Sequence, residues 1–88
     1  MTEILLPETA DAQVAITTRA QILDAPDDTR VVIDASAVSV LSTPMVMVLL
    51  SAARRTGGLT LQRPSEGLVD GFSTLGLFAE MMKMEMTS

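Results

Sequence analysis

Val31-Val32-Ile33-Asp34-Ala35-Ser36-Ala37-Val38 is the stretch on which the reading of this chain turns. Its first three residues are β-branched and apolar without alternation, the pattern of a central strand covered on both faces, as in parallel pairing. Asp34 and Ser36 then break the run. Asp34 is a lone carboxylate at a strand end, which suits a hydrogen bond to loop amides better than acid catalysis or metal ligation. Val38, Val40 and Leu41 are placed to anchor the following loop in the core.

Downstream, Thr43-Pro44 is the strongest helix start in the chain. Threonine caps orphan N–H groups, and proline at the first helical position loses no hydrogen bond. This helix is expected to run to about residue 56 and stop at Gly57-Gly58, with Arg54 and Arg55 as a solvated cationic last turn. Leu59-Thr60-Leu61-Gln62 alternates as a strand does. Pro64-Ser65 opens a third helix with Leu68, Val69, Phe72 and Leu75 on one face, closing at Gly76. Gly67 and Gly71 weaken it by about 1 kcal/mol each relative to alanine.

Upstream, residues 3–6 form a short apolar edge strand stopped by Pro7. Ala12, Ala15, Ile16, Ala20 and Leu23 then recur at helical spacing, after Asp11 as N-cap and before Pro26 and a turn at 25–29. At the other end, Met82-Lys83-Met84-Glu85-Met86 alternates like a strand, whereas 77–82 fits a helical turn; both readings of 77–86 stay open. The methionines at 81, 82, 84 and 86 are expected to cover core or an oligomer contact. The element order implies a single domain over residues 1–88 of α/β or α+β class, α/β being the expectation, its small sheet largely parallel or mixed and packed with three to four helices.

Composition narrows the chemistry. The chain has neither cysteine nor histidine, so disulfides, thiolate metal sites and histidine-based catalysis in their usual forms cannot be built. There is no Gly-x-x-x-x-Gly-Lys phosphate loop, and no cofactor or metal is expected. With 11 acidic and 6 basic residues and a net charge of −5, the surface repels phosphate backbones on average, and Phe72 and Phe78 are too few for a stacking platform. Nucleic acid is therefore not an expected partner. The start Met-Thr-Glu-Ile-Leu-Leu-Pro lacks a basic, apolar leader, and the longest apolar run, 45–50, is far short of a bilayer span. The expectation is a cytoplasmic protein without membrane insertion.

Residues 31–78 resemble the STAS family of anti-sigma-factor antagonists. The resemblance lies in Val-Val-Ile-Asp-Ala-Ser-Ala-Val, the capped helix with Leu49-Leu50, Gly57-Gly58-Leu59-Thr60-Leu61, Pro64-Ser65 and the closing Leu75-Gly76-Leu77-Phe78. It covers more than half the chain; the N-terminal part fits by element order alone. The chain is also similar to the small STAS proteins that accompany bacterial chemotaxis clusters. The resemblance implies a non-catalytic regulatory domain that binds a protein partner: an anti-sigma or chemotaxis-type kinase, or a transporter ATPase. In phosphorylated members an Asp-Ser-Ser/Ala-Gly-type motif follows the central strand, and its serine is the switch. Ser42, Thr43, Pro44 and Met45 stand at those positions, so a hydroxyl is kept at Thr43 while Ser42 replaces the carboxylate and Met45 the glycine.

The candidate site residues follow. Thr43 reads as an N-cap and as a phosphoacceptor, roles that are compatible; Ser42 is the alternative acceptor or a plain loop serine. Projected at 100° per residue, Met45, Val46, Leu49, Leu50, Ala52 and Ala53 share one side of the helix, whereas Met47 and Val48 fall with the polar residues. Met47 and Val48 are thus either a partner contact, together with Ser42 and Thr43, or extra core. The rival function is a constitutive adaptor or homo-oligomeric scaffold of the same fold without a phosphoryl switch.

Overall fold

The structure is a computed structural model describing residues 2–87. In chain order its elements are β1 (Thr2–Leu5), β2 (Thr9–Ala10), α1 (Ala12–Asp24), β3 (Val31–Asp34), β4 (Val40–Leu41), α2 (Thr43–Ala53), β5 (Leu59–Gln62), α3 (Glu66–Thr74), α4 (Phe78–Met82) and β6 (Glu85–Thr87). Four strands form one sheet in the order β1-β3-β5-β6, every pair parallel. The chain is an α/β fold whose main sheet is wholly parallel.

Each step along this sheet crosses over through helix: α1 between β1 and β3, α2 between β3 and β5, α3 and α4 between β5 and β6. Right-handed crossovers that always step the same way lay every helix on the same face. Burial follows that rule. Ile4, Ile33 and Leu61 stand in register and are buried in the core, with Met86 beside them. In the next register row, on the opposite face, Glu3 and Glu85 are exposed and flank Val32 and Thr60. Val32 is only 9% exposed, yet it lies outside the core cluster.

The expectation of a strand covered on both faces is met in burial but not by helices on both sides: Val31 and Ile33 join the core cluster, and Val32, though buried, lies outside it on the face that the helices leave open. That face is lined with polar bonds instead. Arg30 Nη1 donates to Thr60 Oγ1 at 3.0 Å and pairs with Glu85 at 3.0 Å, while Arg63 pairs with Asp34. The Arg30 guanidinium thus lies over Thr60, which is 5% exposed.

The short β2–β4 ribbon has no counterpart in the sequence reading, since two-residue strands carry no periodicity. Its parallel register is Thr9↔Val40 and Ala10↔Leu41. Of the three expected loop anchors, Val38 is buried and Leu41 half-buried, but Val40 is 55% exposed, because alternation along so short a strand turns it outward.

Helix α1 begins as expected, with Asp11 accepting from Val14 N–H at 3.0 Å. Its buried face is Ala15, Thr18 and Ile22, however. Ala12, Ile16, Ala20 and Leu23 of the expected face are exposed, Ile16 at 65% and Leu23 at 67%. The helix carries two apolar stripes, and the anchoring of its first turn decides which one meets the sheet.

In α3, Leu68 and Phe72 are fully buried, while Leu75 is 40% exposed at the helix end. The two glycines that weaken α3 locally are required by packing. A Cβ on Gly67 would lie 2.5 Å from the Ser39 carbonyl oxygen, and one on Gly71 would lie 2.7 Å from Leu41 Cβ. Ser65 reinforces this close approach by donating its hydroxyl to the Val38 carbonyl at 2.6 Å while capping Leu68 N–H. The C-terminal segment resolves into both expected forms in turn, α4 and then β6, and Met81 and Met84 are buried beneath it.

Candidate protein-docking site

The start of α2 is built by Ser42. Its backbone is extended (φ −79°, ψ 159°), its carbonyl accepts the first helical bond from Val46 N–H at 3.0 Å, and its hydroxyl accepts from Met45 N–H at 3.3 Å. Ser42 is therefore the N-cap and Thr43 the first helical residue, each one position earlier than the sequence implied. Proline fits the first turn at either position, because neither N–H there has an intrahelical partner. Among the described residues no hydrogen bond uses the Thr43 hydroxyl, and the side chain is exposed. Ser42, half-buried and engaged, is the less available of the two hydroxyls.

One turn on, Met47 follows Thr43 on the same side of α2 and is 51% exposed. Val48 is half-buried and packs against the core. Both line a groove of about 450 Å³ between α1 and α2. Ile22, Leu23 and Arg19 form its α1 side, Ser51 and Ala52 extend its α2 side, and Asp27 with Arg55 lies at one end. The groove unites Met47 and Val48, read from α2 alone, with Leu23, which the sequence reading placed on the apolar face of α1, and Arg19, which it did not single out. The signal for them was the second stripe of α1: Ala15 and Ile22 already make one apolar side, which leaves Ile16 and Leu23 to face elsewhere.

The end formed by Arg55 is structural rather than a solvated helix end. Its side chain is 11% exposed, and its guanidinium donates to the carbonyls of Thr29 and Ala25 at 3.2 Å and of Pro26 at 2.7 Å. Asp27 lies 4.0 Å away as counter-charge. The helix ends at Ala53, and Arg55 turns back to hold the 25–29 turn. Arg54 remains exposed.

Asp34 is likewise fully employed. It accepts from the backbone N–H of Ser36 at 3.0 Å and from the Ser36 hydroxyl at 2.8 Å, and it pairs with Arg63. These contacts favour the carboxylate, the Ser36 N–H most, and hold its pKa below the ordinary 3.8. Among the described residues no group of three or more carboxylates could hold a metal ion, and no helix is long and apolar enough to cross a membrane. No family model, no curated protein and no solved structure matches the chain.

Proposed function

We propose that this chain is a non-catalytic regulatory domain of the STAS type that docks on a cytoplasmic protein through the first turn of α2 and the adjoining α1–α2 groove. The observation that carries the reading is the position of Met47: an exposed apolar side chain at the mouth of an apolar groove, one turn from the free hydroxyl of Thr43. Methionine adapts its shape to a partner, and an apolar groove beside an unoccupied hydroxyl joins a contact surface to a modifiable group. A phosphate on Thr43 would meet the N-terminal N–H groups of α2, where the helix dipole favours negative charge, so modification would alter the surface without unfolding the domain. The partner classes that the resemblance implies are an anti-sigma or chemotaxis-type kinase and a transporter ATPase.

The second reading, a constitutive adaptor or scaffold without the switch, is favoured by one specific feature. Ser42 stands where the phosphorylated members carry a carboxylate, and it is committed to capping.

Co-purification from native lysate with phosphosite mass spectrometry tests both. A kinase captured with Thr43 phosphorylated supports the switch, and a Thr43→Asp variant should then bind at least about tenfold differently, or about 1.4 kcal/mol. Capture with Thr43 unmodified and Thr43→Asp binding like wild type selects the adaptor. Capture undiminished by Met47→Ser removes the groove from either reading.

A further inference from the structure

We infer that the occupant of the α1–α2 groove is an acidic amphipathic helix of the partner. The inference rests on the docking reading above and names the chemistry of what docks.

The sign of the occupant's charge is set by the cations of this chain. The chain has six, in a background of −5 net charge. Four are paired: Arg30 with Glu85, Arg55 with Asp27, Arg63 with Asp34 and Lys83 with Glu80. Among the described residues the two without an ion pair are Arg19 and Arg54. Arg19 lines the groove on the α1 side. Arg54 continues the α2 backbone in helical conformation, seven residues beyond Met47, which places it two turns along the same exposed stripe. Asp27, the carboxylate at the groove's end, faces Arg55. Of the two free positive charges of an acidic protein, Arg19 thus lines the groove, and Arg54 lies outside its lining, farther along α2 from Met47.

The backbone around the groove sets the shape of the occupant. The walls of the groove are helices, whose backbone groups are bonded internally along their length, so the groove offers side chains and no free strand edge. An extended segment laid there would leave its own N–H and C=O groups without partners as it displaced water. A helix brings its backbone already satisfied and offers apolar residues at i, i+3, i+4 and i+7 to Leu23, Met47 and Val48. Carboxylates flanking that stripe would meet Arg19 and Arg54. A second copy of this chain is disfavoured as occupant, because it would bring the same two arginines to the same groove.

The test uses the full chain and two stapled model peptides of about four turns, with the same leucine stripe and either glutamate or lysine on its flanks. Binding is followed by amide chemical shifts, with circular dichroism confirming that each variant is folded. The glutamate peptide should shift the amides around Leu23 and Met47 and bind at least about tenfold more tightly than the lysine peptide, with affinity falling as salt rises. Arg19→Glu with Arg54→Glu should reverse that preference, and Leu23→Ser should weaken both peptides alike. Equal binding of the two peptides in the groove overturns the inference and leaves the docking reading standing. Shifts confined to the open sheet face, or no shifts at all, also overturn it; the docking reading is then judged separately by Met47→Ser in the lysate.

Discussion

The backbone N–H of Ser42 donates to the carbonyl of Ala10 at 2.9 Å, which sets the N-cap of α2 beside Asp11, the N-cap of α1. The two helices start together from the β2–β4 ribbon and run along the same face of the sheet. Their common origin fixes the phase of both. It turns Ala15 and Ile22 inward and leaves Leu23 and Met47 at the rim of the groove between them.

If Ser42 is the cap, its loss must cost more than the loss of its neighbour. Ser42→Ala should destabilise by about 1 kcal/mol, and Thr43→Ala by less than about 0.5 kcal/mol. Urea denaturation of the two variants decides it, and the reverse order would move the cap back to Thr43.

Met47 and Val48 separate in the same assay. Met47→Ser, at a half-exposed position, should stay within about 0.5 kcal/mol of wild type. Val48→Ser removes packing from a side chain that touches the core and should cost about 1–2 kcal/mol. A large loss from Met47→Ser would place Met47 in the core and remove it from the docking surface.

The two faces of the sheet make opposite demands at adjacent residues. Ile33→Asp places a carboxylate in a fully buried apolar core and should abolish folding. Val32→Asp faces the open side, between Glu3 and Thr60, and should remain folded with its stability lowered by about 1–3 kcal/mol. A natively folded Ile33→Asp variant, seen by circular dichroism and amide spectra, would refute the assignment of faces.

The two adjacent arginines should differ as sharply. Arg55→Ala removes the donors that hold three carbonyls of the 25–29 region, a loss of about 1–3 kcal/mol. Arg54→Ala should be nearly neutral in stability. Thermal melts of the pair suffice, and equal effects would contradict the different roles.

Asp34 predicts a pH dependence whose sign is fixed. Its pKa is lowered in the folded state, first by the Ser36 N–H, so the unfolded chain takes up its proton at higher pH than the native one. The stabilisation is complete above the ordinary carboxylate value of 3.8 and is lost as pH falls through the lower native value. Asp34→Asn should therefore be less stable than wild type near neutrality, and the two should converge in acid. A constant difference down the pH series would show that ionisation is not what Asp34 contributes.

Much of this fold is legible in the chain itself. Val31-Val32-Ile33, Leu59-Thr60-Leu61-Gln62, the Asp11 cap, the Pro64-Ser65 opening and the glycine stops act within a few residues, so spacing alone places β3, β5 and three helices, with their ends and the cap of α2 shifting by a residue or more. The exposure of Met47 was equally local, since it follows from the phase of one helix.

What the tertiary structure decided is everything that depends on a second element. It chose which of two apolar stripes α1 buries, and so exposed Leu23 beside Met47. It left one face of a parallel sheet open, because a strand order advancing in one direction puts every right-handed crossover on the same side. It made Gly67 and Gly71 assets by bringing the Val38–Leu41 segment against α3, and it turned Arg55 from a helix end into the clamp of a turn some thirty residues earlier. Such outcomes depend on long-range contacts, and periodicity within a single segment carries no information about them.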